Sequence, residues 1–172
     1  HEPASAGLVE KYHDICAGLG FNKSPAVFGA FPTDPYSHTP KGQGARQPGM
    51  TGVVKEEIIA RQAEVGLVIE DGCLTFNSLL FNPKELLTTS ESFNYLDVTS
   101  KPQRINLPAS CLAYTVCEVP IVIRLADTPS IEIYLTDGRM QTINGNLLDA
   151  VNSRHIFRRD GIVHHLMVHL YK

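Results

Sequence analysis

Two hydrophobic periods divide the chain. Near the start, Leu8, Tyr12, Ile15 and Cys16 recur at helical spacing and share one face, and Gly18 and Gly20 follow as permissive helix-ending residues. A second helical pattern runs over 53–65. Thr51 is placed to cap it, Glu56 and Glu57 lie in its first turns, and Gly66 stops it. Its Val54, Ile58, Ile59, Ala60 and Val65 cover a broad arc, so this helix is predicted to pack into something larger than itself.

From Gly66 onward the period changes to two. Asp71-Gly72, Asp137-Gly138 and Asp160-Gly161 each sit between strand-like runs and predict hairpins joining 67–70 to 73–77, 131–136 to 139–143, and 154–159 to 162–170. Further runs cover 93–98, 103–107, 111–116 and 119–125. The pattern predicts a mainly β fold: an antiparallel β-sandwich or jelly roll over 66–172, preceded by a helical, loop-rich segment over 1–65.

Between the two helical patterns, 21–52 carries Pro25, Pro32, Pro35, Pro40 and Pro48 among several glycines, which prevents a regular element there. Phe21, Phe28, Phe31 and Tyr36 nevertheless give it rings to bury, the composition of an ordered loop that carries a site or covers a neighbour. Asp34, Tyr36, His38, Arg46 and Gln47 gather in this loop, a set able to hydrogen-bond a polyhydroxylated ligand or to move a proton. Asp34 and His38 are the proton-transfer candidates. Tyr36, Arg46 and Gln47 are the binding candidates, joined by Thr51 and Gly52, which open a helix whose free N–H groups suit an anion. The same residues also fit a plainer role: Asp34, Ser37 and Thr39 as turn caps and Tyr36 as a core ring.

Composition narrows the classes. With 43% hydrophobic and 19% charged residues in 172, the chain is folded rather than disordered. A net charge of -3 argues against nucleic-acid and anionic-membrane binding, and no run of about 20 apolar residues suggests a membrane span. No apolar leader follows the opening His1, and the missing Met is the pattern of a chain that begins inside a longer polypeptide or after a trimmed tag. Cys16, Cys73, Cys111 and Cys117 form no paired spacing, which favours free thiols in a soluble, cytoplasmic protein.

No Gly-rich nucleotide loop, nucleophile elbow or His-Glu-x-x-His motif occurs, so no cofactor is expected. His164, His165 and His169 crowd one strand, but regular alternation sends His164 to the opposite face and leaves the other two about 13 Å apart, too far to share a metal. Arg154, His155, Arg158 and Arg159 form a basic patch that suits a solvated strand edge or a phosphate contact.

The order of these elements resembles the C-terminal region of large bacterial carbohydrate-active proteins built on an (α/α)6 toroid, the inverting glycoside phosphorylases and related six-hairpin glycosidases. A loop ending in Met50-Thr51-Gly52, one helix, a Gly-bounded connection and a β domain carry the likeness. The residues after Thr-Gly, Val53-Val54-Lys55-Glu56, depart from the aromatic ones of the phosphorylases, which counts against phosphorolysis. The resemblance implies that 1–65 holds the last toroid helices, that the general-acid carboxylate lies upstream, and that the partners are carbohydrate and the remainder of a longer polypeptide or a partner chain. Any chemistry it implies is cleavage of glycosidic bonds. Two other classes stay open: a non-catalytic carbohydrate- or protein-binding β module, and a self-contained jelly-roll enzyme.

Overall fold

The computed structural model describes residues 7–10, 12 and 53–171. The chain divides into two compact units, His1–Glu64 and Val65–Lys172. In the first, residues 7–10 and 12 are helical, and helix α1 spans Val53–Glu64. The Tyr12 hydroxyl donates to Glu64 Oε1 at 2.6 Å, and Arg61 pairs with Glu64 one turn away at 3.0 Å. Ile58 and Ile59 are exposed.

The second unit is mainly β, as the two-residue period predicts, with antiparallel and mixed sheets in sandwich-like layers. Strands β1 (Leu67–Glu70) and β2 (Cys73–Phe76) form a hairpin, and β3 (Glu91–Leu96) and β4 (Pro102–Leu107) form a second ribbon. Strands β5 (Leu112–Val116), β6 (Val119–Ala126), β7 (Ser130–Leu135), β8 (Met140–Asn144) and β9 (Val163–Tyr171) build a five-stranded sheet in the order β5-β6-β9-β7-β8. Helix α2 (Ala150–Arg158) connects β8 to β9.

Alternation explains the layers. Ile121 and Ile123 of β6, Ile131 and Ile133 of β7, and Leu166, Val168 and Leu170 of β9 point to one face. There they form a core with Leu74 and Phe76 of the β1–β2 hairpin and Ile156 of α2. Val122 and Met167 point to the other face, where Leu107, Phe93 and Ile105 of the β3–β4 ribbon meet them beside Cys111. Each fully buried Ile, Leu or Phe of this kind stabilises the fold by roughly 1.5–3 kcal/mol relative to exposure.

Two features differ from simple alternation. Strand β9 runs parallel to β6, whereas the other strand pairings are antiparallel. A parallel neighbour requires a crossover, and the β7–β8 hairpin followed by α2 provides it. The second is a correction: Asp71-Gly72 and Asp137-Gly138 do turn hairpins, but Asp160-Gly161 does not. Residues 154–158 belong to α2, because Asp149 caps the helix N-terminus and places Ser153 and Ile156 on its buried side. Ser153 Oγ accepts from the Leu74 N–H and donates to the Leu148 carbonyl, both at 3.2 Å, which ties helix to hairpin.

The cap gives a first test. Asp149 accepts from the N–H groups of Val151 and Asn152, each at 2.9 Å, and from the Asn152 side-chain amide at 2.7 Å. Burial alone raises its carboxyl pKa, but these hydrogen bonds together outweigh it and hold the group below the usual carboxylate range. Asp149→Ala is expected to cost about 1 kcal/mol at neutral pH. A depressed carboxyl stabilises above its unfolded pKa of about 3.9 and loses that contribution as pH falls through the folded value. The wild-type and Asp149→Ala denaturation midpoints should therefore converge in acid; a constant gap would remove the ionised carboxylate from the account.

Candidate functional site

A cleft of about 300 Å³ opens where the end of β3, the start of β4, the β5–β6 turn and the start of β9 come together. Its polar wall includes Tyr95, Asp97, Gln103, Glu118, Thr136 and His164. Tyr95 and Gln103 are direct cross-strand partners in the β3–β4 ribbon, and the Tyr95 ring stacks on Phe93 with centroids 5.9 Å apart. Burial, reinforced by the Asp97 charge, raises the Tyr95 phenol pKa, so it remains a neutral hydrogen-bonding group.

Asp97 organises rather than offers itself. It accepts from the Thr99 hydroxyl at 2.7 Å, the Thr99 and Lys101 N–H groups at 2.8 and 3.0 Å, and the Gln103 amide at 2.8 Å. The Thr99 hydroxyl, the Lys101 N–H and the Gln103 amide hold its carboxyl far below the usual range. This arrangement closes the β3–β4 turn and orients the Gln103 amide, whose carbonyl oxygen is then placed to accept from a ligand.

Glu118 reaches the cleft from an unusual backbone position. The β5–β6 connection is a two-residue turn, Cys117-Glu118, with φ of 49° and 69°, where Asn-Gly is the usual choice. Arg159, which caps the C-terminus of α2 at φ 53°, lies 3.8 Å from the Glu118 carboxylate. Non-glycine residues in the left-handed region cost about 1–3 kcal/mol each and gather at functional sites. Two of them meet as an ion pair beside this cleft. On the remaining side, the Thr136 hydroxyl donates to the Gly161 carbonyl and is 3.3 Å from that of Ile162, fixing the end of β7 to the turn before β9.

The histidines require a correction. Regular alternation would send His164 away from His165, but the register of β9 against β7 shifts between Tyr134 and Leu135. The bulge adds one residue between Val163 and Leu166, both buried, so His164 and His165 emerge together. Their Nδ1 atoms are 2.7 Å apart and their rings are nearly perpendicular. His165 also stacks on Tyr134, with centroids 4.2 Å apart. The Tyr134 hydroxyl donates to Glu132 at 2.7 Å, and Glu132 in turn bonds His169 Nε2 at 3.2 Å. Burial first, then the nearby His164, pushes the His165 pKa down to about 4, against a smaller opposing pull from Glu132. Among the described residues, no group of three or more His, Cys, Asp or Glu side chains is arranged to hold a metal ion.

The loop candidates Asp34, Tyr36, His38, Arg46 and Gln47, together with Thr51 and Gly52, lie outside the described residues. Arg154, His155 and Arg158 are on α2 rather than on a strand edge, and His155 pairs with Asp160 at 2.7 Å. Cys73, Cys111 and Cys117 are free thiols. No helix among the described residues is long and apolar enough to cross a membrane. Compared with protein-family models and with curated proteins, the chain matches none.

Proposed function

We propose that the chain is the C-terminal part of a carbohydrate-active, glycoside-hydrolase-like protein, and that its β unit serves there as a non-catalytic carbohydrate-binding module. The placement in a larger protein rests on the Met50-Thr51-Gly52 likeness and the order of elements around it. The binding role rests on the cleft, where one aromatic ring adjoins an oriented amide, a carboxylate, a hydroxyl and an imidazole. The apolar face of a pyranose packs on a ring such as Tyr95, and adjacent sugar hydroxyls take paired hydrogen bonds from planar groups such as Gln103 and Glu118.

The same cleft is poorly equipped for hydrolysis. Glycosidic cleavage needs one carboxyl held protonated as general acid and a second carboxylate opposite it. Here Asp97 is saturated with donors and strongly acidic, and Glu118 is paired with Arg159. Bond cleavage therefore belongs to the rest of the proposed protein.

Calorimetric titration of the full chain with cellobiose, maltose and xylobiose tests the reading. Binding of at least one is expected, and Tyr95→Ala should weaken it at least tenfold, about 1.4 kcal/mol, with little change in folding stability. Failure of all three sugars to bind, or unaltered binding by Tyr95→Ala, overturns the assignment. No turnover of nitrophenyl glycosides is expected. Turnover abolished by Glu118→Gln would make the cleft an active site instead.

A further inference from the structure

His164 contributes to the wall of the cleft, and its Nδ1 is paired with the Nδ1 of a second histidine, His165. Two neutral imidazoles with Nδ1 atoms 2.7 Å apart must hold a single proton between them, one ring donating and the other accepting. The position of His165 is itself fixed, by its stack on Tyr134 and by the Tyr134–Glu132–His169 chain behind that ring. We propose that His165 is a positioning residue for the cleft: it shares one proton with His164, holds that ring toward the bound sugar, and lets go when both rings are charged.

This role rests on the carbohydrate-binding reading of the cleft and adds an acid-release step to it. Among the described residues, the charged and titratable groups around the pair are Glu132 and Tyr134 on β7, Tyr95 and Asp97 at the end of β3, and Glu118 at the β5–β6 turn with its partner Arg159 at the C-terminus of α2; His169 lies beyond Glu132 on β9 itself. Of these, Glu132 favours a charged His165, but burial and His164 oppose it more strongly. One proton between the rings is tolerated at neutral pH. A second sets N–H against N–H and separates them.

Two variants separate positioning from mere packing. His165→Phe keeps a ring on Tyr134 but has no nitrogen, so disaccharide affinity should fall about tenfold at pH 7. His165→Asn places an amide where Nδ1 was and does not titrate. It should bind like the wild type at pH 7 and keep that affinity at pH 4, where His165 of the wild type is about half protonated and affinity falls about twofold. The folded state resists protonation of His165, so wild-type stability also falls as pH drops from about 6.5 toward 4. Affinity is accordingly read with circular dichroism at each pH.

Wild-type affinity for His165→Phe at pH 7, or acid loss by His165→Asn equal to the wild type, overturns the proposal. Long-range nitrogen–proton NMR of the full chain reads the pair without any ligand: one protonated and one bare Nδ1 are expected at pH 7. Two bare or two protonated Nδ1 atoms would overturn the shared proton. If that signature is present but no disaccharide binds, the cleft reading fails and the positioning role with it, while the shared proton stands.

Discussion

Phe76→Ala should lower the stability of the β unit by about 3–5 kcal/mol, a larger loss than that of Gly66→Ala or Asp149→Ala. Phe76 is fully buried at the end of β2 and shares a core with Leu74, Ile121, Ile131 and Leu170, so its ring fastens the β1–β2 hairpin to the five-stranded sheet. Its own N–H donates to the Asn146 carbonyl at 2.8 Å, and the Leu148 N–H donates to the Leu74 carbonyl at 2.9 Å. These backbone bonds hold the hairpin against the segment leading into α2 and limit how far the site can collapse around a missing ring. Domains of this kind are stable by only about 5–15 kcal/mol, so the variant should sit near its unfolding threshold, with a melting temperature lower by more than about 10 °C. Urea denaturation followed by circular dichroism measures it. A loss below about 1 kcal/mol would mean that the hairpin lies outside the cooperative unit.

What the sequence made legible follows the range of each interaction. The two-residue alternation marks Ile131 and Ile133, or Leu166 and Val168, as core positions because it records which face of a strand is buried. Asp71-Gly72 and Asp137-Gly138 are equally local: in the first turn both residues adopt positive φ, and in the second Gly138 alone does, while its N–H donates to the Leu135 carbonyl. The third Asp-Gly pair misleads because the same dipeptide also follows a helix. The deciding residues there are Asp149, eleven positions earlier, and the Ser153–Leu74 contact, which no window around residue 160 contains.

The histidine bulge and the parallel β6–β9 pairing depend on partners in other strands, so periodicity has no access to either. The cleft is hidden for the same reason: Tyr95, Gln103, Glu118, Thr136 and His164 come from five separated places in the chain and share no local spacing. One signal was available. Cys117-Glu118 fills a two-residue link between strand-like runs without the glycine or asparagine such a link favours, a local conflict of the sort that marks functional positions.

Gly66→Ala should be the second most damaging of these changes, at about 3 kcal/mol, for two separable reasons. Gly66 has φ of +80°, a conformation that costs an alanine about 1 kcal/mol or more. The added Cβ would also stand 2.6 Å from the Asn77 carbonyl oxygen and 3.1 Å from Leu170 Cδ1. That carbonyl belongs to a residue whose N–H donates to the Gly66 carbonyl at 2.9 Å, so retreat from the methyl group strains the base of the β1–β2 hairpin. Gly72 provides the control, because its φ is +74° and nothing lies within 4 Å of its Cβ position. Gly72→Ala should therefore show the conformational cost alone, about 1 kcal/mol. Chemical denaturation of the two variants isolates the close approach as the difference between them. Equal losses would show that the hairpin base yields to the methyl group and that Gly66 is required only for its backbone angle.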